Sequence, residues 1–212
     1  IFYTFAWLVN PTKTGRLYRN HVHYKMILYL HGYDSCGNSN KTAVLKEYFG
    51  EKEVLSPDLP IDPVTAVRFI KKHIIEHDID LLIGSSLGGY YASYFAELLE
   101  MKAVLINPST QPFITLVPYV GTNEYWCKDE TFEFTREHLK SLFEFAIGVP
   151  RDPANYLLLL QKGDELLDYS KAQDKYEGAT LSVNEGGNHR FENLIEYLVQ
   201  IKGFRDHGNN SI

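Results

Sequence analysis

Only a short turn, Gly84-Ser85-Ser86, separates an apolar run, Ile79 to Ile83, from a segment with helical spacing, Leu87 to Leu99, and Gly88 falls in the first helical turn. A turn this tight strains the serine and lifts its side chain off the sheet edge, while bulk at Gly84 or Gly88 would collide with neighbouring backbone. Gly84-x-Ser86-x-Gly88 in this setting is the arrangement that presents a serine hydroxyl as a nucleophile. The bare motif is weak by composition; its position between strand and helix makes it strong.

The same rhythm runs along the chain. Met26 to Leu30, Lys102 to Ile106, Tyr156 to Leu160 and Thr180 to Val183 are further short apolar runs closed by turn residues, with Glu53 to Leu55 a weaker strand. Helical spacing recurs at Ser39 to Phe49, Pro63 to His77, Ser170 to Tyr176 and Glu192 to Ile201. The alternation predicts an α/β fold, a mostly parallel sheet with helices on both faces. Together with the serine turn it specifies the α/β-hydrolase fold, with ligand chemistry beyond the carboxyl ends of the strands. Residues 108–150 break the rhythm with prolines at 108, 112, 118 and 150 and many aromatics, and read as a small inserted cap.

With 212 residues, 44% hydrophobic and 23% charged, the chain matches one globular domain. A formal net charge of -6 without a Lys or Arg run excludes a nucleic-acid partner. Two cysteines, Cys36 and Cys127, are too few for a disulfide framework and lack zinc-ligand spacing, so a cytoplasmic location is expected and Cys36 is read as an inert small side chain. The apolar opening Ile1 to Val9 is too short to span a bilayer and lacks the flanks of an export signal, so no membrane span is expected. Met26 stands directly before the first strong strand. Residues 1–25 therefore read as an N-terminal extension outside the fold, 26–204 as the domain and 205–212 as a flexible tail.

A serine hydroxyl needs a base to take its proton, and in this fold the acid and the histidine follow the serine in the chain. Beyond Ser86 stand His138 in the cap, His207 in the tail, and His189, which follows a strand through Glu185-Gly186-Gly187-Asn188; His189 is the expected base. Asp164, just past the run ending at Gln161, is the expected acid, while Asp168 is read as the N-cap of the helix starting near Ser170. The developing oxyanion is assigned to the backbone N–H groups of Leu87 and Tyr33, with Gly32 allowing close approach and His31 given a structural role. His21-x-His23 lacks an acidic neighbour, and no metal site or cofactor is expected.

Several ordered blocks resemble the YqiA-like esterases, small bacterial members of the α/β-hydrolase superfamily, over about residues 26 to 204. They are Tyr29-Leu30-His31-Gly32-Tyr33 with Ser35, Ser39 and Lys41; Gly84 to Ala92; Asn107-Pro108 with Pro112-Phe113; Gln161 to Glu165; Leu167-Asp168-Tyr169; and Glu185 to His189. The resemblance implies a triad of Ser86, Asp164 and His189, no cofactor, and esterase activity on short acyl esters and thioesters. Cys36, Gly37, Asn40, Gln111 and Arg190 depart from the family pattern and bear on substrate preference.

The expected reaction is acyl transfer from a small-molecule ester or thioester to water through an acyl-enzyme. The competing expectation is a catalytically idle relative that binds a small acyl ligand or a protein partner. Transfer to another acceptor uses the same residues, and oligomeric state has no signal in the sequence.

Overall fold

The four inner strands of a six-stranded sheet carry continuous apolar runs because both of its faces are covered there. A computed structural model describes residues 25–207. The elements in order are β1 (Met26–Leu30), α1 (Asn40–Phe49), β2 (Val54–Leu55), α2 (Pro63–Glu76), β3 (Ile79–Ser85), α3 (Leu87–Leu99) and β4 (Lys102–Ile106). After β4 come α4 (Pro112–Thr115), β5 (Gly121–Glu124), β6 (Thr131–Phe134) and α5 (Arg136–Leu142). The chain then returns as β7 (Tyr156–Gln161), α6 (Tyr169–Lys175), β8 (Thr180–Asn184) and α7 (Leu198–Asp206).

The sheet runs β2-β1-β3-β4-β7-β8, every pair parallel. Its two faces follow from the two-residue period of a strand. Leu28, Leu30, Leu82, Leu105, Leu158 and Leu160 point to one side, against Ala66 and Ile70 of α2 and Tyr91 and Phe95 of α3. Ile27, Tyr29, Leu81, Ile83, Val104 and Leu159 point to the other, against Leu45 of α1 and Leu198 and Ile201 of α7. The neighbours β1 and β3 thus send their following helices to opposite faces. This is the arrangement that opens a crevice above the strand ends.

Local chemistry starts the helices where the sequence indicates. Ser39 caps α1, its hydroxyl accepting from Thr42 N–H, and Asp62 caps α2 ahead of Pro63, accepting from Val64 and Thr65 N–H. Asp168 caps α6 by accepting from Ser170 N–H and Ser170 Oγ at 3.0 and 2.7 Å. The last segment differs from expectation. In place of one helix over Glu192 to Ile201, a 3₁₀ turn spans Leu194–Tyr197 and α7 begins at Leu198. Phe191, fully buried and at φ 51°, forces a turn there, so the residues before Leu194 serve the loop that carries His189.

Two further differences concern the edges of the sequence reading. The helix α7 continues through Asp206, and Arg205 is held by Asp80, so the tail does not begin at 205. Cys36 and Cys127, expected to be unpaired, form a disulfide across 91 positions of sequence, joining the loop after β1 to the β5–β6 hairpin. The readings placed on residues 1–24, including His21 and His23, lie outside the described residues.

The segment between β4 and β7 is a second, two-stranded antiparallel sheet flanked by short helices. It rests on the loop after β1, where the Tyr33 ring packs edge-on against Tyr119, Phe132 and Phe134 at 5.6, 5.3 and 5.1 Å between centroids. Trp126 N–H donates to Asp34 O at 2.8 Å, and Tyr90 Oη donates to the Leu142 carbonyl. Among the described residues no helix is long and apolar enough to cross a membrane.

Candidate active site

Ser86 sits at φ 55° and ψ -120°, the strained conformation that the turn from β3 into α3 imposes. Its backbone is locked on both sides: Ser86 N–H donates to Ile106 O at 3.1 Å, and Ser109 N–H donates to Ser86 O at 3.0 Å. A Cβ on Gly84 would lie 2.3 Å from Gly88 O, and one on Gly88 would lie 2.0 Å from Leu30 O. Both glycines are therefore steric requirements of the turn.

The sequence-designated residues come together there. His189 Nε2 lies 3.0 Å from Ser86 Oγ, and its Nδ1 lies 2.8 Å from Asp164 Oδ2. Asp164 Oδ1 accepts from the N–H groups of Leu166 and Leu167 at 2.9 and 2.8 Å, which orients the carboxylate toward the imidazole. Glu165 Oε2 accepts from His189 N–H at 2.9 Å. Tyr33 and Leu87, assigned by sequence to the oxyanion, both line the same cleft as Ser86.

Two residues that sequence reasoning gave no site role hold the histidine loop. Asn107 Nδ2 donates to Asn188 O at 3.0 Å, and Asn107 Oδ1 accepts from Gln161 N–H at 2.9 Å. Gln161, buried at the end of β7, accepts from Asn188 N–H through Oε1 at 2.8 Å and donates from Nε2 to Asn193 Oδ1 at 2.6 Å. Satisfied networks of this kind fix one geometry because leaving any member unpaired in a buried setting costs about 1–3 kcal/mol. Both residues stand directly at strand ends in the blocks that carry the family resemblance, and that position was the available signal.

The cleft measures about 730 Å³. Its wall combines Ser86 and His189 with apolar side chains such as Leu116, Tyr119 and Leu166, and with the charged Lys41 and Arg190. That is the character of a small-molecule site, concave and largely apolar with a few convergent polar groups. Among the described residues no group of three or more His, Cys, Asp or Glu is arranged to hold a metal ion.

Residues 26–206 match the model of the uncharacterised protein family UPF0227. The chain belongs to this family. Among UPF0227 proteins, YcfP of Salmonella paratyphi A is 28% identical over 198 residues, spanning 86% of this chain and all of that protein. A UPF0227 protein of Citrobacter koseri is 27% identical over 191 residues, with the same coverage. The family membership agrees with the YqiA-like resemblance carried by the sequence blocks. Solved structures extend the likeness to the α/β-hydrolase fold. Mouse alpha/beta hydrolase domain-containing protein 10 superposes with a TM-score of 0.64 at 13% identity, over 85% of this chain and 89% of that one. Est1E of Butyrivibrio proteoclasticus gives 0.63 at 15% identity over 89% of each chain. This UPF0227 protein thus has the α/β-hydrolase fold, including the parallel sheet read from the alternating sequence.

Proposed function

We propose that this protein is a serine hydrolase that cleaves short-acyl carboxylic esters or thioesters through an acyl-enzyme. The observation that carries the reading is the continuous chain of hydrogen-bond distances from Asp164 through His189 to Ser86 at the floor of a largely apolar cleft. In the proposed reaction His189 Nε2 takes the Ser86 proton as Oγ attacks the substrate carbonyl. The N–H groups of Leu87 and Tyr33 receive the oxyanion, and Asp164 fixes the imidazole with its proton on Nδ1 and stabilises the imidazolium. His189 then protonates the departing alcohol or thiol, and water, activated by the same histidine, releases the acid. Pf2001 of Pyrococcus furiosus, a solved structure of similar fold, is an esterase, which agrees with this chemistry.

Labelling by a fluorophosphonate probe tests the reading because it needs an activated serine but no knowledge of the substrate. The folded protein is expected to label, while Ser86→Ala and His189→Ala do not. Ester turnover by Ser86→Ala should fall to at most about one part in a thousand. A folded wild-type protein that fails to label, or a Ser86→Ala variant with unchanged turnover, overturns the proposal in favour of an idle binding relative.

A further inference from the structure

Lys41 stands in the wall of the same cleft, half-buried in the first turn of α1. Among the described residues its ammonium has no hydrogen bond or ion pair. Burial, then the nearby Arg190 guanidinium, holds its pKa down at about 8, with Glu192 acting in the opposite sense. Arg190 also lines the cleft, lays its guanidinium 4.1 Å from the centroid of the Trp126 ring, and forms no ion pair among the described residues. Three carboxylates share the wall, and among the described residues none is within ion-pair distance of Lys41 or Arg190. Glu165 is engaged by His189 N–H, Glu192 accepts from Asn188 Nδ2 at 3.3 Å, and Asp34 is exposed. Two cations brought together, one of them partly desolvated, cost free energy that a bound anion would repay.

We infer that Lys41, with Arg190, forms a subsite for an anionic group, a carboxylate or phosphate, carried by the leaving group of the ester or thioester. The inference rests on the hydrolase reading, which also sets the side. His189 Nε2 delivers the proton to the leaving oxygen or sulfur as the bond from that atom to the acyl carbon breaks. The leaving group therefore departs past the segment that carries His189, and Arg190 is the next residue. The acyl group is left to the apolar wall of Leu116, Tyr119 and Leu166.

The test compares meta-butyryloxybenzoate and meta-butyryloxyphenyl phosphate with the neutral meta-butyryloxybenzamide, and the two anionic substrates distinguish a carboxylate from a phosphate. In the wild type, kcat/KM for at least one anion should exceed that for the amide by about tenfold or more, chiefly through KM, as a charge-assisted hydrogen bond contributes. Lys41→Met, which keeps the aliphatic stem, should bring the ratio to near one, and Lys41→Arg should restore it. A wild-type ratio near one, or a preference that survives Lys41→Met, overturns the subsite. Fluorophosphonate labelling of Ser86 requires no anion and reports separately: a protein that labels but shows no preference loses only the subsite, and one that does not label loses both.

Discussion

His31 shows how one buried side chain ties the site to stability. Its Nε2 accepts from Leu59 N–H at 2.8 Å, and its Nδ1 donates to Gly32 O at 2.7 Å, so the neutral tautomer is fully used. Burial lowers its pKa below the ordinary 6.5. The unfolded chain therefore takes up a proton on this residue at a pH where the folded chain does not. The stabilisation it contributes is present above pH ~6.5 and is lost as pH falls toward the depressed folded value, at up to ~1.4 kcal/mol per pH unit. Urea unfolding between pH 7 and 5 should show this slope in the wild type, and His31→Asn should reduce it by that amount; equal slopes would remove His31 as the cause. At this scale much was legible. Ser86, His189 and Asp164 each stand beside a strand end in the chain order the fold requires, and the structure brings them within hydrogen-bond distance. Lys41 and Arg190 stood out in the sequence only as part of a family block and as a departure from the family pattern; that they share one cleft wall without an ion pair among the described residues is visible only in three-dimensional packing.

Elements with a clear period were legible to within a residue or two, β1, β3, β4 and β7 above all, since a parallel strand buried on both faces is written as an unbroken apolar run. The hairpin β5–β6 was not. Gly-Thr-Asn-Glu and Thr-Phe-Glu-Phe are short and mostly exposed, and they are held by contacts with the loop after β1 more than by their own pattern. Nor do two cysteines so far apart in sequence announce a pairing. The Cys36–Cys127 bond closes a loop of 91 positions between that hairpin and the segment after β1 that carries Tyr33. Cross-links of this span contribute about 2–4 kcal/mol, chiefly by restricting the unfolded chain. Cys127→Ser, or reductant added to the wild type, should therefore lower Tm by roughly 5–15 °C. Unchanged melting in reductant, together with two titratable thiols in the untreated protein, would show that the bond does not form.

Across the whole molecule, function and anchoring separate to opposite ends of the sheet. The carboxyl ends of the strands carry Ser86, Asp164 and the loop of His189, while the amino ends of β1, β2 and β3 converge on Arg205 near the end of α7. Its guanidinium donates to both Asp80 oxygens at 2.9 and 2.7 Å and to Lys25 O at 2.7 Å, and it pairs with Glu53 at 3.5 Å. Lys102 Nζ completes the anchor by donating to Phe204 and Arg205 carbonyls at 2.5 and 3.2 Å. The bidentate geometry matters because a planar fork matches a carboxylate, and removing it leaves Asp80, itself largely buried, without its partner. From sequence this end reads as a polar tail, since ion pairs between residues 125 positions apart leave no periodic trace. Arg205→Ala should lower the unfolding free energy by about 1–3 kcal/mol, seen as a Tm lower by roughly 2–10 °C. At 25 °C the rate of fluorophosphonate labelling at Ser86 should stay that of the wild type, because this arginine holds the amino ends of β1 and β3, whereas Tyr29, Ser85 and Ser86 line the cleft toward their carboxyl ends. A variant that melts with the wild type would mean that the apolar face of α7, Leu198 and Ile201, docks the helix unaided. One that keeps its Tm but labels slowly would instead join the two ends of the sheet, contrary to the separation argued here.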